Sequence, residues 1–240
     1  MEKYNLCIDI GNTNIKSGFF SGDDLKISCS DIEELSIMTD AMQFDCIISN
    51  VRKSVPDLIN RISKKAGKCI ILSHRIKLPL KILYSTPETL GMDRIAAAVG
   101  AKKHFPDKNC IVIDAGTCIT MDFIDKNNNY LGGNISPGIN MRITAMSRFT
   151  GALPMVSIKD NTDILGKSTV EALQNGSFKG TIWEISSFIR EINKKFGQSQ
   201  LVFTGGDAKY FVNYFKTMIF ADSNLILTGL NEILKNYDES

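Results

Sequence analysis

Apolar residues recur along this chain in short runs that stop at polar turns. Leu6-Cys7-Ile8 runs into Asp9, turns through Gly11 to Asn14, and resumes as far as Phe19-Phe20. Residues 4–10, 15–20 and 25–29 therefore predict three short strands, the last two joined by a turn at Ser21–Asp24. Asp31 is placed as the N-cap of a helix to about residue 42, with Glu33 and Glu34 in its first turn. Asp45–Ser49 is a buried type of strand, Ser54-Val55-Pro56-Asp57 opens a helix to Lys65, and Cys69–Leu72 is a further strand. Strands alternating with helices predict an α/β architecture.

The next stretch, Leu83–Leu90, has no period and reads as an irregular surface segment. Gly91–Ala101 is rich in small apolar residues, which predicts a tightly packed helix. Ile111-Val112-Ile113 then runs into Asp114, turns at Ala115-Gly116-Thr117 and resumes through Phe123. β-branched residues on both sides of a short glycine-containing turn predict a hairpin. Lys126–Asn129 is a turn, and 130–138 returns as a strand with glycine or proline at positions 132, 133, 137 and 138, implying close backbone approach or sharp bends. A helix follows through Phe149, then a loop over 151–163, either a flap or a connector. A long helix from Thr169 to about Phe196 is either continuous or broken near Gly176 or Gly180. Gln200–Ala208 reads as strand, glycine turn and helix start; Met218–Ala221 is a strand, and Asn224–Asn236 a closing helix.

The two apolar runs ending in aspartate form a repeat. Asp9-Ile10-Gly11-Asn12-Thr13 and Asp114-Ala115-Gly116-Thr117 share an Asp-x-Gly turn at a strand end, about a hundred residues apart. One such turn is an ordinary feature; two at matching strand ends predict a duplicated lobe, each copy bringing its turn to a shared cleft. The turn offers backbone N–H groups to phosphate oxygens while its aspartate can hold a cation. Asp93-Arg94 opens the small-residue helix. Asp93 either caps that helix or acts as a base on a hydroxyl, and Arg94 is disfavoured there by the helix dipole unless it has a separate task, such as capture of an acid group. Thr204-Gly205-Gly206-Asp207 either faces a nucleotide or is a structural turn. Gly166-Lys167-Ser168 imitates the tail of a P-loop, but Asn161 stands where the first glycine belongs, and no Gly-x-Gly-x-x-Gly occurs.

Composition narrows the function classes. The net charge of +2, from 28 basic and 26 acidic residues, favours no anionic polymer as partner. Lys64-Lys65, Lys102-Lys103 and Lys194-Lys195 read as solvated helix faces, and no basic stripe interleaves with aromatics, so nucleic-acid binding is not expected. No apolar run reaches membrane-spanning length and no leader pattern opens the chain, so neither membrane nor export is expected. The six cysteines are scattered without a Cys-x-x-Cys pair, which reads as buried thiols in a reducing, cytoplasmic compartment. The two histidines, His74 and His104, lack partners at ligand spacing, so a zinc site is not expected.

Five blocks in order now resemble one family: Asp9–Thr13, Gly91-Met92-Asp93-Arg94, Asp114–Thr120, Gly132–Gly138 and Thr204–Ala208, with Tyr84 seven residues before Gly91. The chain resembles the type III pantothenate kinases of the acetate and sugar kinase, heat-shock chaperone and actin superfamily. The resemblance implies two ribonuclease H-like lobes, each a mixed sheet with flanking helices, around a central nucleotide cleft, with lobes at 1–108 and 109–240. It implies ATP-dependent phosphorylation of the primary hydroxyl of pantothenate, in the first step toward coenzyme A. On the matching positions, Asp9, Ile10, Gly11, Asn12, Thr13, Asn14, Ile15 and Lys16 would cradle the phosphates, with Asp9 beside Mg²⁺, and Thr117 would also touch ATP. Asp93 would accept the proton of the hydroxyl, while Tyr84, Gly91, Met92, Asp93, Arg94 and Thr169 would line the pantothenate pocket. Asp114 would hold a monovalent cation, K⁺ or NH₄⁺, and the protein would be a homodimer. Cys118 departs from the alanine common in that family's second turn.

Overall fold

A computed structural model describes residues 3–11, 13–51, 56–160, 163–215 and 219–237. In chain order the elements are β1 (Lys3–Ile10), β2 (Ile15–Ser21), β3 (Asp24–Cys29), α1 (Ile32–Ala41), β4 (Gln43–Asn50), α2 (Pro56–Lys65), β5 (Cys69–Ile71) and β6 (Lys81–Ile82). They continue with α3 (Met92–His104), β7 (Asn109–Ala115), β8 (Cys118–Ile124), β9 (Asn129–Pro137), α4 (Ile139–Phe149), α5 (Thr169–Phe196), β10 (Ser199–Thr204), α6 (Ala208–Phe211), β11 (Ile219–Ala221) and α7 (Leu225–Asn236). The expected α/β class holds, with two mixed sheets flanked by helices.

The strand order exposes the repeat. One sheet runs β3-β2-β1-β4-β5, and the other contains β9-β8-β7-β10-β11, with β6 added beyond β9. Counting strands from each start, both orders are third, second, first, fourth, fifth. In both, the first, fourth and fifth strands pair in parallel, while β2 reverses on β1 and a two-residue connection reverses β8 on β7. The second Asp-x-Gly turn thus occupies the same topological corner as the first.

By contacts the chain divides into two compact units: residues 1–108, 124–132 and 224–240, and residues 109–123 and 133–223. In the first, Leu6, Ile8 and Ile10 alternate along β1 and meet Leu35 of α1 and Leu58 and Ile62 of α2 in one core. The opposite face carries α3 and α7; Gly18, paired with Cys7, leaves room there for Leu227 of α7. Helices on both faces are why β1 reads as a continuous apolar run rather than an alternating one. The closing helix α7 joins this unit because its backbone lies directly against α3. A Cβ on Gly229 would run into the Ala96 carbonyl oxygen, and one on Gly100 into that of Leu225.

In the second unit Ile111, Ile113, Ile119, Met121, Phe123, Leu201 and Phe203 of the sheet pack against α4 and α5. The face of α5 buries Leu173, Phe178, Ile182, Ile185 and Ile189, spaced at helical intervals. This helix is continuous through Gly176 and Gly180. It starts where the Glu171 N–H donates to Ser168 Oγ while Glu171 Oε2 accepts from the Lys167 N–H, and stops at Gly197 with φ +86°.

Several local expectations change. Helix α3 continues to His104, and Lys102 is not solvated: it is 5% exposed, its Nζ donating to the carbonyls of Lys108 and Asp125. A buried ammonium is held by carbonyls because leaving it unbonded would be costly. The Leu83–Leu90 segment holds one 3₁₀ turn at Pro87–Thr89, just after the two-residue strand β6. Ser54 and Val55 at the expected helix start, Asn161, and Met218 at the expected strand start lie outside the described residues. Among the described residues no helix is long and apolar enough to cross a membrane.

Candidate active site

The first turn is built by strand register. Asp9 pairs with Lys16 across β1–β2 and with Ser49 across β1–β4, so all three leave the sheet on one face. Gly11 closes the turn by donating its N–H to the Asn14 carbonyl at 3.0 Å. Asp9 Oδ1 is shut off from solvent and, like Ser49 Oγ beside it, has no hydrogen-bond partner within normal limits among the described residues. Burial first, and then the charge of Asp93, raise the Asp9 carboxyl to about 6, against smaller opposing pulls from the Ser49 hydroxyl and Lys16. A buried, unsatisfied carboxylate oxygen is costly unless something else completes it, and a cation is the natural complement.

Asp93 stands second in α3. The capping position is Gly91, whose backbone makes no side-chain cap; the Asp93 Oδ1 instead accepts the N–H of Arg94 at 2.8 Å. A Cβ on Gly91 would run into that same oxygen, so only glycine leaves the carboxylate its place. Met92 and Arg94 are buried, the latter 6% exposed, with its guanidinium carbon 6.0 Å from the centre of the Tyr84 ring. Tyr84 meets Tyr130 edge-on at 6.2 Å, and Gly132, at φ +133°, brings bare backbone close to the Tyr84 ring. Two carboxylates, a lysine, an arginine and a tyrosine are thus gathered in the first unit.

In the second unit three sequence blocks converge on one turn. Asp114 pairs with Thr204 across β7–β10, and Gly205, at φ +91°, packs so closely that a Cβ would strike the Ala115 carbonyl oxygen and Asp114 Oδ1. The Asp207 N–H donates to the Ala115 carbonyl at 2.9 Å. On the other side Gly138 donates its N–H to the Thr117 carbonyl at 3.1 Å, and a Cβ there would strike the carbonyls of Gly116 and Thr117. Burial holds the Asp207 carboxyl above its ordinary range, offset in part by Lys209. Arg142 in α4 anchors the same corner, donating to the Pro137 carbonyl and Ser136 Oγ and pairing with Glu184 of α5.

The expected residues therefore fall into groups. Asp9, Ile10, Gly11, Thr13, Asn14, Ile15 and Lys16 form the first turn; Asn12 lies outside the described residues. Tyr84, Gly91, Met92, Asp93 and Arg94 gather in the same unit, while Asp114 and Thr117 belong to the second. Thr169, exposed at the start of α5, also belongs to the second unit. Ser49 was missed, because a serine ending an apolar run carries no signal without the parallel register. Asp207 was visible in the glycine turn, yet the turn alone did not single it out. Thr13, Asn14 and Ile15 also line a hollow of about 810 Å³ with the start of α1 and Arg61; neither Asp9 nor Asp93 reaches its walls. Among the described residues no three His, Cys, Asp or Glu side chains cluster as metal ligands.

A family model for type III pantothenate kinases matches residues 5–191. A type III pantothenate kinase of Bacteroides fragilis is 40% identical over 98% of this chain and 98% of its own. One from Phocaeicola vulgatus is 39% identical over 98% of this chain and 99% of its own. Among solved structures, a Campylobacter jejuni protein described as a Baf-family transcriptional activator aligns over 98% of this chain and 100% of its own, at 26% identity and TM-score 0.61. The ethanolamine utilization protein EutJ of Carboxydothermus hydrogenoformans aligns over 95% of this chain and 89% of its own at 12% identity and TM-score 0.51, a likeness of fold alone.

Proposed function

The chain belongs to the type III pantothenate kinases, which transfer a phosphoryl group from ATP to pantothenate on the way to coenzyme A, and from that premise we propose how its residues share the reaction. Asp93 takes the proton of the pantothenate primary hydroxyl as that oxygen attacks the γ-phosphorus. The observation that carries this reading is that Asp93 lies close enough to Asp9 for its charge to raise the Asp9 carboxyl, so the base and the phosphate turn share one locality. Phosphoryl transfer asks mainly for positioning and charge neutralisation, which two rigid turns and a helix start can supply.

Residues Asp9 to Lys16 receive the phosphates, through backbone N–H groups of the turn and the ammonium of Lys16, and Thr117 adds a contact from the second turn. Asp9 would hold the divalent ion, Mg²⁺; its solvent-shielded Oδ1 fits that task. Bound there with ATP, magnesium would neutralise charge on the phosphate oxygens. Asp114 would hold a monovalent cation, K⁺ or NH₄⁺: one carboxylate amid backbone carbonyls offers hard oxygens with a single charge.

For the acceptor, Arg94 pairs with the pantothenate carboxylate, and Tyr84, Gly91, Met92, Asp93 and Thr169 complete the pocket. Burial makes Arg94 a strong partner, since a guanidinium sheltered from water binds a carboxylate more tightly than an exposed one. The protein acts as a homodimer, a reading supported by apolar side chains left exposed on the second unit: Phe149 at 86%, Ile135 at 62%, Trp183 at 53% and Val170 at 45%. A cytoplasmic location is supported by six cysteines scattered without a Cys-x-x-Cys pair, as in a reducing compartment.

The test is ATP consumption coupled to detection of phosphopantothenate, with and without pantothenate, in potassium and then sodium buffer. Product that requires pantothenate and forms faster in potassium is the expected result. ATP hydrolysis indifferent to pantothenate would overturn the assignment of Asp93.

A further inference from the structure

Cys46 in β4 and Cys69 in β5 occupy directly paired positions of the parallel register, so both side chains leave the sheet on the same face. Their sulfurs are 2.7 Å apart. At that separation nothing lies between the two sulfurs. The strand spacing also suits a bond: neighbouring strands lie roughly 4.7–4.9 Å apart, inside the Cα separation of about 4.4–6.8 Å that a disulfide spans. Neither sulfur takes part in the candidate site.

The surroundings distinguish the partners. Cys46 is fully buried in the core under α2, whereas Cys69 is partly exposed on the outermost strand of its sheet. Ser63 of α2 donates its hydroxyl to Cys69 Sγ at 3.1 Å. The thiol of Cys46 also donates to Cys69, which favours the thiolate on Cys69 and holds the proton on Cys46, despite partial burial of the pair. Cys69, the partly exposed residue of the pair, is therefore the nucleophile, with a resolving thiol already beside it. By contrast, Cys7, Cys29 and Cys110 are buried.

We propose that Cys46 and Cys69 form a built dithiol site that a hydroperoxide converts to an intrachain disulfide. The Cys69 thiolate attacks one peroxide oxygen: an S–O bond forms, the O–O bond breaks, and the departing alkoxide is protonated to an alcohol (water when the reagent is hydrogen peroxide). Cys46 sulfur then attacks Cys69 sulfur: the S–S bond forms, the S–O bond breaks, and the leaving hydroxide takes the Cys46 proton as water. Two thiols and one hydroperoxide give one disulfide, one alcohol and one water, with two electrons passing from sulfur to peroxide. Unlike a solitary exposed thiol, Cys69 is captured at the sulfenic stage before it can be oxidised further.

The full chain, purified reduced, is treated with hydrogen peroxide in small molar excess, quenched, alkylated in denaturant and measured by intact mass and peptide mapping. The expected result is a loss of about 2 Da before alkylation, two fewer alkyl groups on the chain after it, and a Cys46–Cys69 crosslinked peptide that dithiothreitol cleaves. Cys69→Ser should abolish the mass loss, and Cys46→Ala should leave a sulfenic acid on Cys69 that dimedone traps. The wild-type measurement decides even if a variant folds poorly. Retention of all six thiols, a crosslink through other cysteines, or addition of oxygen to Cys69 without a crosslink would each overturn the proposal.

Discussion

Replacing Asp9 by asparagine keeps the side-chain shape, removes the charge, and gives Ser49 Oγ an amide that can donate to it. The carboxyl is raised from 3.8 to about 6, chiefly by burial. At about 1.36 kcal/mol per pH unit, the ionised carboxylate opposes folding by up to about 3 kcal/mol at pH 8. The sign follows from proton counting. The folded carboxyl keeps its proton to higher pH than the unfolded one, so between about pH 4 and 6 the folded state binds more protons and stability falls as pH rises, levelling off above. At pH 5 only about half of the cost is felt, because the folded group is still mostly protonated while the unfolded one is ionised.

Because Asp9 is only partly buried, screening brings the expected gain in Asp9→Asn to about 1–3 kcal/mol at pH 8. In a chain of this length that is a rise in melting temperature on the order of 3–10 °C. Thermal unfolding without nucleotide or magnesium, at pH 5 and pH 8, measures it. The gain should be larger at pH 8. Added MgATP should then stabilise the wild type, by roughly 2.7 kcal/mol at a hundredfold excess over its dissociation constant, and leave the variant unmoved. A variant less stable than the wild type in the absence of ligand, or a gain equal at both pH values, would refute the account of Asp9 as a folding cost retained for cation binding.

Asp93→Asn should fold normally by circular dichroism and lose roughly 10²–10⁴-fold in turnover; activity close to wild type would remove Asp93 from the role of base. Asp114→Ala should lose the activation by potassium or ammonium, and unchanged activation would move the cation site elsewhere. Gly138→Ala should raise the KM for ATP far more than that for pantothenate and destabilise the fold by about 1–3 kcal/mol, since its Cβ would strike the carbonyls of the second turn. Equilibrium sedimentation at micromolar concentration should give a dimer, and a monomer there would contradict the reading of the exposed apolar residues.

The features legible in the sequence were those with local causes. Asp31 was readable as a cap because an N-cap needs only its own side chain and the next turn, and its Oδ1 does accept the N–H groups of Glu33 and Glu34 at 2.8 and 3.0 Å. The repeat was readable because turn chemistry recurs at strand ends, and its consequence, the shared strand order, follows once each hairpin must be extended by parallel strands. What stayed hidden depends on partners distant in sequence. Lys102 looks like its solvated neighbour Lys103 until carbonyls at 108 and 125 close around it. Ser49 and the Cys46–Cys69 pair become visible only with the β1–β4 and β4–β5 registers, each fixed across an intervening helix. The closing helix has an ordinary amphipathic pattern, and its place on α3 rests on Gly229 and Gly100 permitting backbone contact.

The same distinction separates the glycines of the candidate site. Gly11 and Gly116 mark turns and were found as such. Gly91, Gly138 and Gly205 serve instead to let a neighbouring group approach: the Asp93 carboxylate, the carbonyls of the second turn, and Asp114. Their blocks stood out in the sequence, but the reason for each glycine lies in an atom supplied by another part of the backbone or by a side chain folded back on it. A site of this kind is held by exclusion of side chains as much as by contacts between them. Substitutions that add one methyl group at these positions should therefore disturb binding even though no polar group is lost, whereas a methyl group at Gly176 or Gly180, where a Cβ would meet nothing within 4 Å, should leave activity unchanged.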